Sequence, residues 1–472
     1  MSETTKIFNT RIGELTFDHD YPTNPTVQHL YDTMDFQRAS QLYLWGLPIV
    51  GVARWRQAYR EAFDLQPNQV LHAKTFQDRL GVLTINESTP YLFGSTNVAE
   101  RPVVFDIPAG LVIGLAIDYW QQSLMDMGVF GANEGQGGRY VVVGPDTPEI
   151  PKVEGATLIT SSTNNVCFIF RLAGTPEENQ AAMDGIKVYY HGDVASFDII
   201  HANNVNAGML HQPRGLAFWK LLHEVLQEEP VADRDRFFMY WLTHLGIEKG
   251  KRFDPNTRQR AILEEAAFVG ESMAQAMVFD ERHPGVLMYE GWRMVLGGER
   301  GDGIHETQRM EHWDTFDPRS RYTYEAICTS EVMCNPQPGR GMAYMTVFQD
   351  RNREWLKGEQ SYRLRVPKDV PASLFWSSVC YDNRTRTLID TDQQKATVGQ
   401  KTEGHRVNED GSVDVLYGPE SPGPDWENNW IKTIPGRGWF TYVRLYGVEQ
   451  PFFDKTWQLP LIEPVNFKNL TR

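Results

Sequence analysis

Phe168-Ile169-Phe170-Arg171-Leu172-Ala173-Gly174 and Thr441-Tyr442-Val443-Arg444-Leu445-Tyr446-Gly447 are two runs of strand length, each with an Arg-Leu step and a closing glycine. Outward from each, the same signals recur in the same order. Val104-Phe105-Asp106-Ile107-Pro108 and then Gly144-Pro145-Asp146 precede the first run. Arg363-Leu364-Arg365-Val366-Pro367 and then Gly418-Pro419-Glu420 precede the second. The step from Gly-Pro to Arg is nearly equal in both, and self-similarity of this kind marks an internal duplication. Short apolar runs punctuated by Gly, Pro and Asn surround both anchors. They occupy residues 81–85, 102–107, 111–117, 139–143 and 166–170, then 342–347, 362–366, 375–379 and 439–443. Their length and punctuation predict strands.

Helical periodicity frames these strands. From about residue 35 to 63, Phe36, Ala39, Leu42, Tyr43, Leu47, Val50 and Ala53 share one helical face, and Pro48 is expected to kink or divide it. Phe218, Trp219, Leu222, Val225 and Leu226 predict a second helix. Ile262, Ala266, Val269, Met273 and Met277 predict a third, starting near Asn256-Thr257. The division is a 1–34 extension, a 35–65 helical arm, a 66–205 β domain, a 206–300 helical linker and a 301–472 C-terminal β-sandwich domain. The expected fold is a β-rich α+β chain: two related antiparallel β-sandwich or jelly-roll-like domains with a helical arm and a helical linker.

Composition narrows the partners. With 472 residues the chain can bury a full core, and its net charge of −15 argues against nucleic acid and against anionic membrane surfaces. Cys167, Cys328, Cys334 and Cys380 are scattered, with no CxxC pair, so neither a disulfide framework nor a zinc motif is expected. Met1-Ser2-Glu3-Thr4-Thr5-Lys6 lacks the pattern of a signal peptide, and residues 42–53 are too short to span a bilayer. These features predict a cytoplasmic setting.

A resemblance covers most of the chain. Asp118-Tyr119-Trp120-Gln121, Asp126-Met127-Gly128, Gly131 and Gly135-Gln136-Gly137-Gly138-Arg139-Tyr140 resemble the hallmark of a widespread microbial domain of unknown function, number twelve-fifty-four. Thr84-Ile85-Asn86-Glu87-Ser88-Thr89-Pro90-Tyr91 resembles its T-P-N-x-D-T-x-Y segment, with Ser88 where the family usually has Asp. The stretch from Gly246 to Pro255 resembles its connector. The C-terminal part, with Phe375-Trp376-Ser377, Tyr381-Asp382, Tyr417-Gly418-Pro419, Asn429-Trp430 and Arg444-Leu445-Tyr446-Gly447, resembles the partner domain, number twelve-fourteen. The resemblance implies two β domains joined by helices. It implies no reaction.

The candidate chemistry lies between residues 118 and 140. Asp118 and Asp126 stand near aromatic surface, where a carboxylate's pKa rises and it can act as general acid or base. Arg139 is the orienting charge of this candidate catalytic set. The alternative is that the carboxylates cap turns or pair with Arg139 or Arg171. Tyr91, Trp120, Gln121, Tyr140, Trp376, Tyr381 and Trp430 are the candidate ligand contacts, and core packing is the alternative for the aromatic rings. The Gly-rich stretch 135–138 precedes a strand instead of opening a helix, which argues against a phosphate loop. His191, His201 and His211 are evenly spaced but form no close metal-binding pair, so no metal is assigned and no cofactor is specified. Two functions stay open: an enzyme using acid–base chemistry on a small, partly apolar molecule, or a non-catalytic protein that binds carbohydrate or self-assembles. Homo-oligomerisation fits either.

Overall fold

The computed structural model describes residues 4–203, 205–279, 287–296 and 317–470. Met1, Ser2 and Glu3, and the boundary drawn at residues 300/301, lie outside them. Three short strands open the chain, Thr5–Thr10, Gly13–Asp18 and Tyr21–Pro22, and lead into helix α1, Asn24–Phe63. This helix starts before residue 35 because Pro25 fits its first turn, where a missing N–H costs nothing.

Pro48 does not divide α1, which runs on as one element. Its ring removes the N–H that would have bonded the Leu44 carbonyl four residues back. The Ser320 hydroxyl donates to that carbonyl instead, at 2.7 Å. Ser320 lies on helix α5 (Asp317–Glu325), which packs on α1 together with α2 (Leu216–Glu228), α3 (Arg236–His244) and α4 (Thr257–Phe279).

The first unit runs through strands β1 (Tyr91–Asn97), β2 (Val103–Ala109), β3 (Val112–Asp118), β4 (Ser123–Gly128), β5 (Gln136–Val143), β6 (Ala156–Thr160), β7 (Asn165–Leu172) and β8 (Lys187–Tyr190). The second runs through β9 (Met342–Val347), β10 (Tyr362–Val366), β11 (Ala372–Asp382), β12 (Thr397–Gly399), β13 (Val413–Gly418), β14 (Trp430–Lys432), β15 (Trp439–Val448) and β16 (Glu463–Pro464). With two further strands each, Val70–Ala73 and Ile199–His201 in the first and Leu287–Tyr289 and Trp292–Met294 in the second, the units build an open six-stranded sheet and a four-stranded sheet apiece. Their shared orders are β1-β7-β3-β4 and β9-β15-β11-β12, then β6-β5-β2-β8 and β14-β13-β10-β16. Even the lone parallel pair of each four-stranded sheet recurs, β5 with β6 and β13 with β14. The repeat expected from the anchors therefore holds for these eight strands, while the two further strands pair parallel in the first unit and antiparallel in the second.

One expected strand is not a strand. Residues 81–85 form an irregular segment, with Thr84 at φ 43°. Its backbone is satisfied from the second unit: the Thr84 N–H donates to the Arg386 carbonyl, and its own carbonyl accepts from Arg444 and Tyr381. The apolar run is buried by side chains, not by a ladder.

Strand alternation decides what each sheet face does. On β7, Phe168, Phe170 and Leu172 join the core shared with the four-stranded sheet, while Cys167 and Ile169 belong to the larger core on the opposite face. Arg171 points to that second face as well. On β15, Tyr442, Arg444 and Tyr446 share one face by the same period, so the two duplicated arginines look into the space between the units.

Candidate functional site

Between the outer faces of the two six-stranded sheets lies a cavity of about 80 Å³. Trp55 of α1, residues 82–86, Tyr91 and Phe93 of β1, Ile169 and Arg171 of β7, Tyr322 of α5, Met342 and Tyr344 of β9, and Tyr442 and Arg444 of β15 contribute to its wall. The surface is largely apolar, and the polar groups on it are few.

Two of these groups are duplicated. Arg171 sits opposite Tyr91 across the β7–β1 ladder, and Arg444 sits opposite Tyr344 across the β15–β9 ladder. Each guanidinium lies over the ring of its own cross-strand tyrosine, at 5.1 and 4.2 Å from the ring centre. Both then reach across the seam. Arg171 donates to the Tyr91 hydroxyl through Nε and Nη2, at 2.9 and 2.6 Å, and through Nη2 to the Tyr446 hydroxyl of the second unit, at 2.9 Å. Arg444 donates to the Thr84 carbonyl on the first-unit side and to the Tyr381 hydroxyl, the latter at 2.8 Å. Burial works against charge on both guanidiniums, but the surrounding phenols outweigh it and keep them protonated.

Tyr446 is the unusual member. Its oxygen accepts from Arg171 Nη2 and, at 2.5 Å, from Asn86 Nδ2. The Asn86 carbonyl oxygen is occupied by the Ser88 N–H at 2.8 Å, which leaves the amide nitrogen facing the phenol. Burial alone would raise the Tyr446 pKa; the fields of Arg171 and Arg444 overcome this and bring it below the ordinary value. Tyr344, Tyr381 and Tyr442 go the other way, raised chiefly by burial.

Asp126 on β4 lines the cavity and also an outer cleft of about 400 Å³. Burial pushes its pKa up to about 6, against the nearby Ser330 hydroxyl and a hydrogen bond from the Val332 N–H. The D-x-G motif fixes its place. Gly128 closes β4 at φ 72°, and a Cβ there would sit 2.0 Å from the Val112 carbonyl oxygen, so only glycine fits.

The remaining candidates are dispersed. Asp118 is fully buried at the end of β3; its carboxylate accepts from the Gln122 N–H at 2.8 Å and the Ser162 hydroxyl at 2.5 Å, away from the cavity. Burial raises its pKa too. Arg139 lies on the outside of β5, paired with Asp106 at 2.5 Å and not with Asp118 or Asp126. Trp120 packs against Trp45 of α1 at 5.0 Å. Gln121 ties α1 to α5: its amide donates to Thr323 at 3.0 Å and to the Pro48 carbonyl, and its oxygen accepts the Cys328 N–H. Tyr140 lines the outer cleft beside Asp126.

Tyr91 and Tyr381 belong to the arginine cluster. Trp376 and Trp430 are buried, Trp430 donating through its indole to the Gly418 carbonyl at 2.9 Å, and neither offers an open ring. His191 is exposed, His201 lies 5.3 Å from the ring of His72, and the His211 imidazole meets the Thr385 carbonyl. Among the described residues no group of three or more His, Cys, Asp or Glu side chains gathers as a metal site would. Among them, too, no helix is long and apolar enough to cross a membrane.

Sequence reasoning missed Arg171, Arg444, Tyr344, Tyr446 and Asn86 as site residues. The signal was present: an arginine in the middle of an apolar strand, occurring twice in register.

Family models account for both units. A protein family of unknown function, DUF1254, matches residues 67–190, and a second, DUF1214, matches residues 341–450. These are the two domains that the motifs resemble. The chain is similar to the crystal structure of the VPA0106 protein from Vibrio parahaemolyticus, at 17% identity over 92% of this chain and 100% of that one, with a TM-score of 0.57. It is also similar to that of an uncharacterised protein from Burkholderia cenocepacia, at 10% identity over 94% and 98% of the two chains, with a TM-score of 0.43. The first likeness speaks for a common fold alone. No curated protein matches the chain.

Proposed function

This chain carries a DUF1254 domain followed by a DUF1214 domain, and from that premise we propose that it is an enzyme using acid–base chemistry on a small, partly apolar molecule held between them. The carrying observation is Tyr446. Its oxygen receives two donors, Arg171 and Asn86, and among the described residues no acceptor for its own proton is found. A phenol in that setting gives up its proton readily and can take one from a bound molecule. Asp126, titrating near 6 at the same cavity and open to the outer cleft, suits the return of a proton to solvent. Asp118 and Arg139 have no part in this reading, because neither reaches the cavity.

The same reading includes a sandwich, jelly-roll-like packing of each unit, supported by Phe105 of the four-stranded sheet meeting Phe168 of the six-stranded sheet edge-on at 5.1 Å. A cytoplasmic setting is supported by four free, buried cysteines.

The test is turnover. On any substrate found in a screen of small apolar acids and ketones, Tyr446→Phe should lower kcat by about a hundredfold or more, with KM little changed. Wild-type turnover by a folded Tyr446→Phe protein would remove Tyr446 from the chemistry.

A further inference from the structure

Arg171 and Arg444 are only 7% and 4% exposed, and among the described residues neither is bonded to a carboxylate. Their partners are phenols, the Thr84 carbonyl and the Met342 sulfur. Nε of Arg444 is buried with no hydrogen-bond partner, on a side chain that lines the cavity. Burying a cation costs several kcal/mol unless a counter-charge and hydrogen bonds offset it. Among the described residues the acidic groups at hand have other partners: one oxygen of Glu325 accepts from the Tyr442 hydroxyl, and Asp126 accepts from the Val332 N–H. Two buried guanidiniums without a bonded carboxylate leave positive charge to be met.

We propose that the ligand of this cavity carries a carboxylate, received between Arg171 and Arg444. This rests on reading the cavity as the ligand site. The guanidinium fork matches a planar carboxylate, and charge-assisted bonds of that kind are the strong ones. The apolar body of the ligand lies against Phe93, Ile113 and Ile169, which line the same space. The cavity of about 80 Å³ is roughly half the ~150 Å³ that accepts the six carbons of benzene, which limits the ligand to about three or four heavy atoms.

Titration calorimetry of the whole protein with acetate, and with its neutral isostere acetamide, tests this. Acetate should bind at least about tenfold more tightly. Arg444→Met and Arg171→Met should abolish that preference. Because a core methionine can also upset folding, Arg444→Lys and Arg171→Lys provide the second series. They keep the charge, lose the fork, and should weaken the preference in a protein whose circular dichroism is unchanged. Tyr446→Phe should retain the preference, which separates carboxylate binding from proton transfer. If Tyr446→Phe turns over normally while acetate is still preferred, the acid–base role fails and the carboxylate stands. Equal affinity for the two probes, no binding of either, or the same heat from sodium chloride alone would overturn the carboxylate proposal.

Discussion

At the residue scale, Asp126 and His211 titrate in overlapping windows with opposite consequences. Asp126 rises from 3.8 to about 6 on folding, so the folded state holds its proton more tightly and stability falls as pH rises from about 4 to 6. His211 drops from 6.5 to about 4, through burial and the nearby Arg386, so stability climbs as pH rises across that range. Each shift is worth up to ~3 kcal/mol. Asp126→Asn should therefore steepen the rise in stability between pH 4 and 6, and His211→Gln should flatten it, as read by urea unfolding. Identical slopes in both variants would mean that neither shift is real. The sequence marked Asp126 as a carboxylate near aromatic surface, and the structure places it on the cavity wall. Asp118 matched the same description, but its acceptor sites are filled by Gln122 and Ser162, and a hydrogen bond of that kind leaves no trace in spacing.

At the element scale, strand runs such as 342–347 and 362–366 were legible because period, length and punctuation agree there. Residues 81–85 misled because an apolar run buried by side chains looks the same as one buried in a ladder. That Pro48 leaves α1 undivided has a related cause. The sequence states that its N–H is missing, but not that a hydroxyl from residue 320 will take the carbonyl that this frees. Removing the hydroxyl should expose the debt: Ser320→Ala leaves the Leu44 carbonyl buried without its donor and should lower stability by about 1–3 kcal/mol. Unchanged denaturant midpoints would mean that α1 tolerates the break unaided.

At the scale of the whole molecule, duplication accounts for the site. Each unit supplies a tyrosine–arginine pair from the same two strands, and the outer faces of the six-stranded sheets meet so that each arginine reaches into the other unit. That the two units repeat one another could be anticipated from the repeated anchors. The meeting of the two faces could not, because a contact such as Asn86 with Tyr446 joins residues 360 positions apart and follows no local period. Tyr446 consequently owes its acidity to groups from both halves, Arg171 and Asn86 from the first and Arg444 from the second. The most direct measurement is a pH titration by NMR of protein labelled at the tyrosine ring carbon bearing the hydroxyl, with Tyr446→Phe identifying the resonance. The Tyr446 signal should move to its phenolate position below the ordinary tyrosine value of about 10, ahead of Tyr344, Tyr381 and Tyr442. A Tyr446 signal that stays a phenol until the other three ionise would contradict the acid–base account.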